Sequence, residues 1–252
     1  MKNLFAAMAF TIGLTAPAFS ATIVTTHAYS QQNYMNLFNA MGKTVVENFE
    51  SFVLTPSLNG EPGAFQDQPI KTAVGEFYRE SGTGSGGTVT RPNPDLDGTQ
   101  LAVRNGNVFG RSDTTADLFP DLRIRNGQYL DSNDVIDMSW NVNLGGAKFK
   151  RLIFVLSDAT DVGSSLNIIA GDDKFTYTIP GREYGDGERR IVKIDFGQSV
   201  DTAQVAFENS KRNDGLSIDD IAINVVPLPA SVLFLGAGIA GLGLMRRRQK
   251  KT

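Results

Sequence analysis

The residues best placed by type and spacing to do chemistry are four carboxylates, Glu47, Glu50, Asp219 and Asp220. In the last apolar run, Leu216 and Ile218 share one parity while Ile221, Ile223 and Val225 share the other, so the side-chain phase slips between Asp219 and Asp220. A strand that keeps its apolar face inward through such a slip must bulge, and a bulge re-aims side chains. The expectation is that Asp219 or Asp220 turns towards the strand carrying Glu47 and Glu50, and that together they bind a structural Ca²⁺ through carboxylate and backbone oxygens. The competing expectation is a pair of aspartates capping a sheet edge in solvent.

Other constellations carry less. Asn93-Pro94-Asp95-Leu96-Asp97-Gly98 opens like a calcium loop, but its twelfth position is Arg104, where a bidentate Glu is required. The pairs Asp131/Asp134 and Asp158/Asp161 suit metal ligation and suit equally turns in which Asp bonds the backbone two residues on. Gly82 to Gly87 satisfies G-x-G-x-x-G, yet no helix pattern follows to receive a pyrophosphate. Tyr184, with Arg182 and Glu183 in a polar loop, offers an aromatic ring flanked by planar polar groups, the chemistry of a weak glycan-binding surface; an ordinary exposed tyrosine is the alternative. No G-x-S-x-G or H-E-x-x-H occurs, and the one histidine, His27, is placed on an arm ahead of a helix. A carboxylate-pair hydrolase remains open, because 27 acidic residues prevent selecting two.

The elements that must position these groups are mostly strands. Ser30 can cap a short helix whose Tyr34, Leu37, Phe38 and Met41 fall on one face, with Gly42 as its stop. After it the period becomes two. Alternation over 136–144, 175–179 and 192–196, together with apolar runs over 44–49, 100–103, 107–109, 151–156, 165–169, 204–207 and 216–225, predicts many short strands divided by Gly, Asn, Asp and Pro. Residues 151–156 are apolar on both parities, as a central strand covered on both faces requires. Trp140 is in phase with Met138 and Val142, which assigns it to the core. The fold class expected is all-β, an antiparallel β-sandwich with one short N-terminal helix.

The ends of the chain differ from its middle. Lys2, an apolar stretch over Leu4 to Leu14 and small residues before Ala21 form a secretory signal over 1–20, which implies export by the Sec translocon and cutting by a signal peptidase. At the rear, the sixteen residues Ala230 to Met245 reach roughly 24 Å as a helix, and with Val225 to Pro229 they attain spanning length as a transmembrane helix. Arg246, Arg247, Arg248, Lys250 and Lys251 then act as a membrane stop held on the cytoplasmic side. These ends hold 6 of the 24 basic residues and none of the 27 acidic ones, so the middle keeps 18 basic against 27 acidic, a net −9. Such a domain is unsuited to a nucleic-acid backbone. With no cysteine in the chain, an exported fold must hold without covalent staples.

Val226-Pro227-Leu228-Pro229-Ala230, followed by a short apolar segment and a basic cluster, resembles the VPLPA-CTERM group of PEP-CTERM-like sorting signals. The resemblance covers residues 226–252. It implies recognition by an exosortase-type membrane transpeptidase that cuts near the motif and passes the preceding domain to the cell surface or an extracellular polysaccharide matrix. Two prolines within three residues agree, since they keep the segment from joining a helix. More loosely, the opening helix followed by Glu47-Asn48-Phe49-Glu50, then Leu130 to Asp134, Ser157 to Asp161 and Ile218-Asp219-Asp220-Ile221, is similar to exported jelly-roll or lectin-like domains.

The resulting division is a signal peptide (1–20), an N-terminal segment with a helix (21–42), a β-sandwich (43–225) and a sorting segment (226–252). The expected role is a non-catalytic surface or matrix component, tethered at the inner membrane on its periplasmic side before sorting. The alternatives are a secreted polysaccharide-active hydrolase and a simple single-span anchored periplasmic domain.

Overall fold

A computed structural model of the chain describes residues 21–55, 64–65, 68–81, 101–106, 127–132, 137–159, 164–179, 188–208 and 215–227. Among them lie fourteen strands and one helix: β1 (Ile23–Ala28), α1 (Gln31–Asn39), β2 (Thr44–Glu47), β3 (Ala64–Phe65), β4 (Ile70–Thr72), β5 (Gly75–Ser81), β6 (Ala102–Asn105), β7 (Gln128–Asp131), β8 (Asp137–Asn143), β9 (Phe149–Ser157), β10 (Ser165–Ala170), β11 (Asp173–Thr178), β12 (Arg189–Val200), β13 (Thr202–Glu208) and β14 (Ser217–Val225). They form two sheets. The eight-stranded sheet runs β1-β12-β9-β14-β7-β6-β3, with β2 also on β14, and the six-stranded sheet runs β11-β10-β13-β8-β5-β4. Every described pairing is antiparallel.

The alternation seen in the sequence becomes the inner faces of these sheets. Met138, Trp140 and Val142 of β8, with Val205 and Phe207 of β13, meet Leu152, Phe154 and Leu156 of β9 and Ile218 of β14 in one core. Trp140 is fully buried. Its ring stacks on Phe77 at 5.1 Å and meets Phe154 of the opposite sheet edge-on at 6.1 Å. Its Nε1 donates to the Val74 carbonyl at 3.2 Å, so the polar end of the ring is satisfied.

β9 is the strand the doubly apolar run announced. Its odd-numbered Ile153 and Val155 leave the main core and pack with Ile191 and Ala222 against Tyr34 and Met41. That second cluster is the reason α1 exists: the helix covers the outer face of the eight-stranded sheet where that face is apolar. The Ser30 side chain accepts from the Asn33 amide at 3.1 Å as an N-cap, and Gly42 at φ +74° turns the chain towards β2.

Several strands were not marked by periodicity, namely β1, β3, β4, β5 and β7. The N-terminal segment is part of the sandwich, because β1 pairs with β12 over Ile23 to Ala28. His27 therefore sits in a strand opposite Ile191, with its Nε2 3.3 Å from Thr25 Oγ1, which corrects its placement on a free arm. Polar residues Thr25, Thr26 and His27 hid this edge strand from an apolar pattern. The expected strand over 107–109 lies outside the described residues, as do the signal segment and the tail from residue 228. Among the described residues no helix is long and apolar enough to cross a membrane.

Candidate functional site

The outer face of the six-stranded sheet gathers polar side chains from five strands. With Phe77 inward, Tyr78 of β5 points out, and so do Ser139 and Asn141 of β8 around the inward Trp140. Gln204 and Ala206 of β13 lie on the same face, between inward Ala203, Val205 and Phe207. The Tyr78 hydroxyl accepts from Gln204 Nε2 at 3.0 Å and donates to Asn141 Oδ1 at 3.4 Å. Gln204 is two strands away from Tyr78, with β8 between, so the phenol ring must cross β8 to reach it. Ser139, directly opposite Tyr78, is fully buried although its position faces outward. The ring is thus drawn down over the sheet and half-buried, held by two amides at its hydroxyl end.

Further along the face a second polar group is bonded together. Thr176 of β11 donates to Asn167 Oδ1 at 2.8 Å, and the Asn167 amide nitrogen donates to Glu208 Oε2 at 3.3 Å. The Ser165 hydroxyl lies 3.4 Å from the same Glu208 oxygen. Glu208 stands directly opposite Asp137 across β13 and β8.

The bulge inferred from the phase slip is present. On β14, Asp219 pairs with Val155 while Ala222 pairs with Ile153, so Asp220 and Ile221 together face Phe154. Asp220 takes the left-handed conformation that such a bulge needs, at φ +47°. The four carboxylates of the expected calcium set, Glu47, Glu50, Asp219 and Asp220, all lie within the described residues. Among the described residues no three His, Cys, Asp or Glu side chains gather where they could hold a metal ion. The carboxylates serve the backbone instead. Glu47 accepts from the Phe49 amide at 2.8 Å and, with its other oxygen, from the Ala73 amide at 2.9 Å. Glu50 accepts from the Gln128 amide at 2.7 Å, and Asp219 from the Asp220 amide at 2.8 Å. Two of these amides are local, from Phe49 and Asp220, and two, from Ala73 and Gln128, come from distant segments that the sequence does not place beside the carboxylates.

Where the bulge turns β14, the Tyr34 hydroxyl donates to the Asp220 backbone carbonyl at 2.8 Å. Burial, reinforced by the nearby Asp220 and Asp219 charges, pushes the phenol well above the ordinary tyrosine range. Arg104 of β6 makes a buried ion pair with Asp131 of β7, Nε to Oδ2 3.0 Å.

Arg182, Glu183 and Tyr184 lie outside the described residues, as do Leu228, Pro229, Ala230, the basic residues Arg246, Arg247, Arg248, Lys250 and Lys251, Asp134, Asp161 and the segments 82–87 and 93–98. Of the sorting motif, Val226 and Pro227 are described. The Val226 amide donates to the Lys148 carbonyl and the Val225 amide to the Lys43 carbonyl, both at 2.8 Å, so β14 ends firmly where the motif begins.

Sequence reasoning missed Tyr78. The outward Asn141 and Asn143 were visible as the polar half of β8, but β5 starts at Gly75 and ends in polar residues, so its alternation was not recognised.

No family model matches the chain. No curated protein matches it. Among solved structures it is similar to CBM35 from Cellvibrio japonicus, at 12% identity over 42% of this chain and 77% of that one, with a TM-score of 0.28. It is also similar to a carbohydrate binding module from Cellvibrio mixtus lichenase in complex with cellotriose (17% identity, 46% and 86% covered, TM-score 0.27). A third likeness is to the K1 cleaved adhesin domain of Lys-gingipain from Porphyromonas gingivalis (14% identity, 74% and 100% covered, TM-score 0.26).

Proposed function

We propose that this chain is an exported, non-catalytic surface or matrix protein whose jelly-roll or lectin-like domain holds extracellular polysaccharide on the outer face of its six-stranded sheet. The observation that carries the reading is the Tyr78 ring, pulled across β8 by Gln204 and Asn141. An aromatic ring fixed along a sheet offers one face to the C–H groups of a sugar, and its polar anchors lie beside it to meet hydroxyls. Because the ring is ordered before any ligand arrives, binding loses little further entropy there.

The test is retention of the full chain, in a detergent without a sugar head group, on the matrix polysaccharide of its own cells. Tyr78→Ala should weaken retention by about tenfold, the order expected for one aromatic contact, while Tyr78→Phe should fall between it and the parent. Equal retention of Tyr78→Ala and the parent would remove this reading.

The tail completes the proposal: an exosortase-type transpeptidase processes the chain near Val226 to Ala230 after export. Support comes from the motif itself and from Pro227, which is exposed immediately after Val226, the bonded residue that follows β14. Mass spectrometry of the mature protein decides this part. A C-terminus at Thr252 would leave the plain membrane anchor.

A hydrolase reading would use Asp137 and Glu208, whose Cβ atoms stand roughly 5 Å apart by cross-strand geometry. Both project from one open face, however, whereas a glycosidase pair flanks the bond it cleaves. The non-catalytic reading is preferred on that geometry.

A further inference from the structure

We infer that the polysaccharide is an uncharged or amino-sugar polymer lying across the strands, from Tyr78 to Thr176, and that polyuronates are turned away at Glu208 and Asp137. This deepens the glycan-binding reading and rests on it. The strand register supplies the direction. Tyr78 faces Ser139, Ser139 faces Ala206, Ala206 faces Asn167, and Asn167 faces Thr176, a single row through β5, β8, β13, β10 and β11.

Four steps between strands make the row about 19 Å long, and each step is close to the length of one pyranose unit in an extended chain. The row begins at the aromatic ring and ends at the bonded Asn167 and Thr176. Between them the outward residues are Ser139, which the Tyr78 ring overlies, and Ala206, whose side chain is one methyl, so the row steps down at Ala206 just beyond the ring. On one side stand Asn141 and Gln204, two amides facing each other, with Glu76, paired to Lys71, at the Tyr78 end of that line and Lys174 at its far end. On the other stand Asp137 and Glu208, two carboxylates facing each other. An anionic polymer in the row would run beside that second pair at a separation where like charges repel, whereas hydroxyls or ammonium groups would find acceptors.

The experiment is calorimetric titration of the full chain, in a detergent without a sugar head group. The probes are β-1,4-glucan oligomers of increasing length, a chitosan hexamer and a polygalacturonate hexamer. Affinity should rise by about tenfold or more from dimer to pentamer and then level, as stacking at one end is joined by hydrogen bonds at the other. Asn167→Ala should weaken the hexamer and leave the dimer unchanged. Polygalacturonate should give no binding to the parent and gain it in Glu208→Gln. Affinity independent of length, an Asn167→Ala hexamer titration identical to the parent's, or polygalacturonate bound as tightly as the neutral hexamer would overturn the inference while leaving a glycan-binding surface. Absence of binding to all three probes would overturn that surface as well.

Discussion

Tyr34 on α1 donates its hydroxyl proton to the backbone carbonyl of Asp220, inside the bulge of β14, at 2.8 Å. The helix and the irregularity of the central strand are thus tied together: the phenol buries itself to reach a backbone carbonyl within the bulge. Removing the hydroxyl in Tyr34→Phe should cost about 1 to 2 kcal/mol at neutral pH, because a buried acceptor is left behind. Urea unfolding monitored by circular dichroism gives the value.

The same phenol has a pH signature. Its folded pKa lies above the unfolded value because burial and the Asp220 and Asp219 charges oppose the phenolate. The folded state then holds a proton that the unfolded state releases, so the contribution is complete below about pH 10 and is lost as pH rises from there through the folded pKa. The parent should lose stability above about pH 10 more steeply than Tyr34→Phe. Parallel curves for the two proteins would show that Tyr34 is not the group responsible.

Glu47 joins the two sheets, since its carboxylate accepts from Phe49 beyond β2 and from Ala73 in the turn between β4 and β5. Phe49 occupies the left-handed region at φ +59°, a conformation that needs such a hold. Glu47→Ala should destabilise the domain by about 2 to 4 kcal/mol, and Glu47→Gln by less, as one amide oxygen can still accept. Thermal unfolding of the three proteins side by side provides the check.

Gly75 begins β5 at φ +120°, and a Cβ placed there would overlap the Asn141 carbonyl oxygen and stand 2.9 Å from the Asn143 nitrogen. These are backbone atoms of β8, the neighbouring strand, so nothing flexible can yield. Gly75→Ala should prevent stable folding. Gly146→Ala has the same kind of backbone, φ +91°, but open space around it, and should cost only about 1 to 3 kcal/mol. Soluble yield and melting temperature distinguish the two.

The Arg104–Asp131 pair is buried, with side-chain exposures of 4% and 0%. Asp131→Leu should therefore cost about 3 to 5 kcal/mol by stranding the guanidinium, and adding Arg104→Met should restore most of that loss. A double variant no more stable than Asp131→Leu would show that the arginine answers to other partners.

How much of this was legible in the sequence depends on the range of the information. Periods of two and of 3.6 residues located α1, β8, β11 and β12, because side-chain direction follows from the residue's own position along its element. The slip at Asp219 and Asp220 located the bulge for the same reason. The Tyr78 site belongs to the other kind. Its hydroxyl meets residues 63 and 126 positions further along the chain, and nothing periodic in β5, β8 or β13 states that they are neighbours. Strand order is decided by how both sheets close over one core, an energy summed over the whole domain. The local pattern determined which residues point outward; the order of the strands decided which of those outward residues meet, and so placed an aromatic ring between two amides.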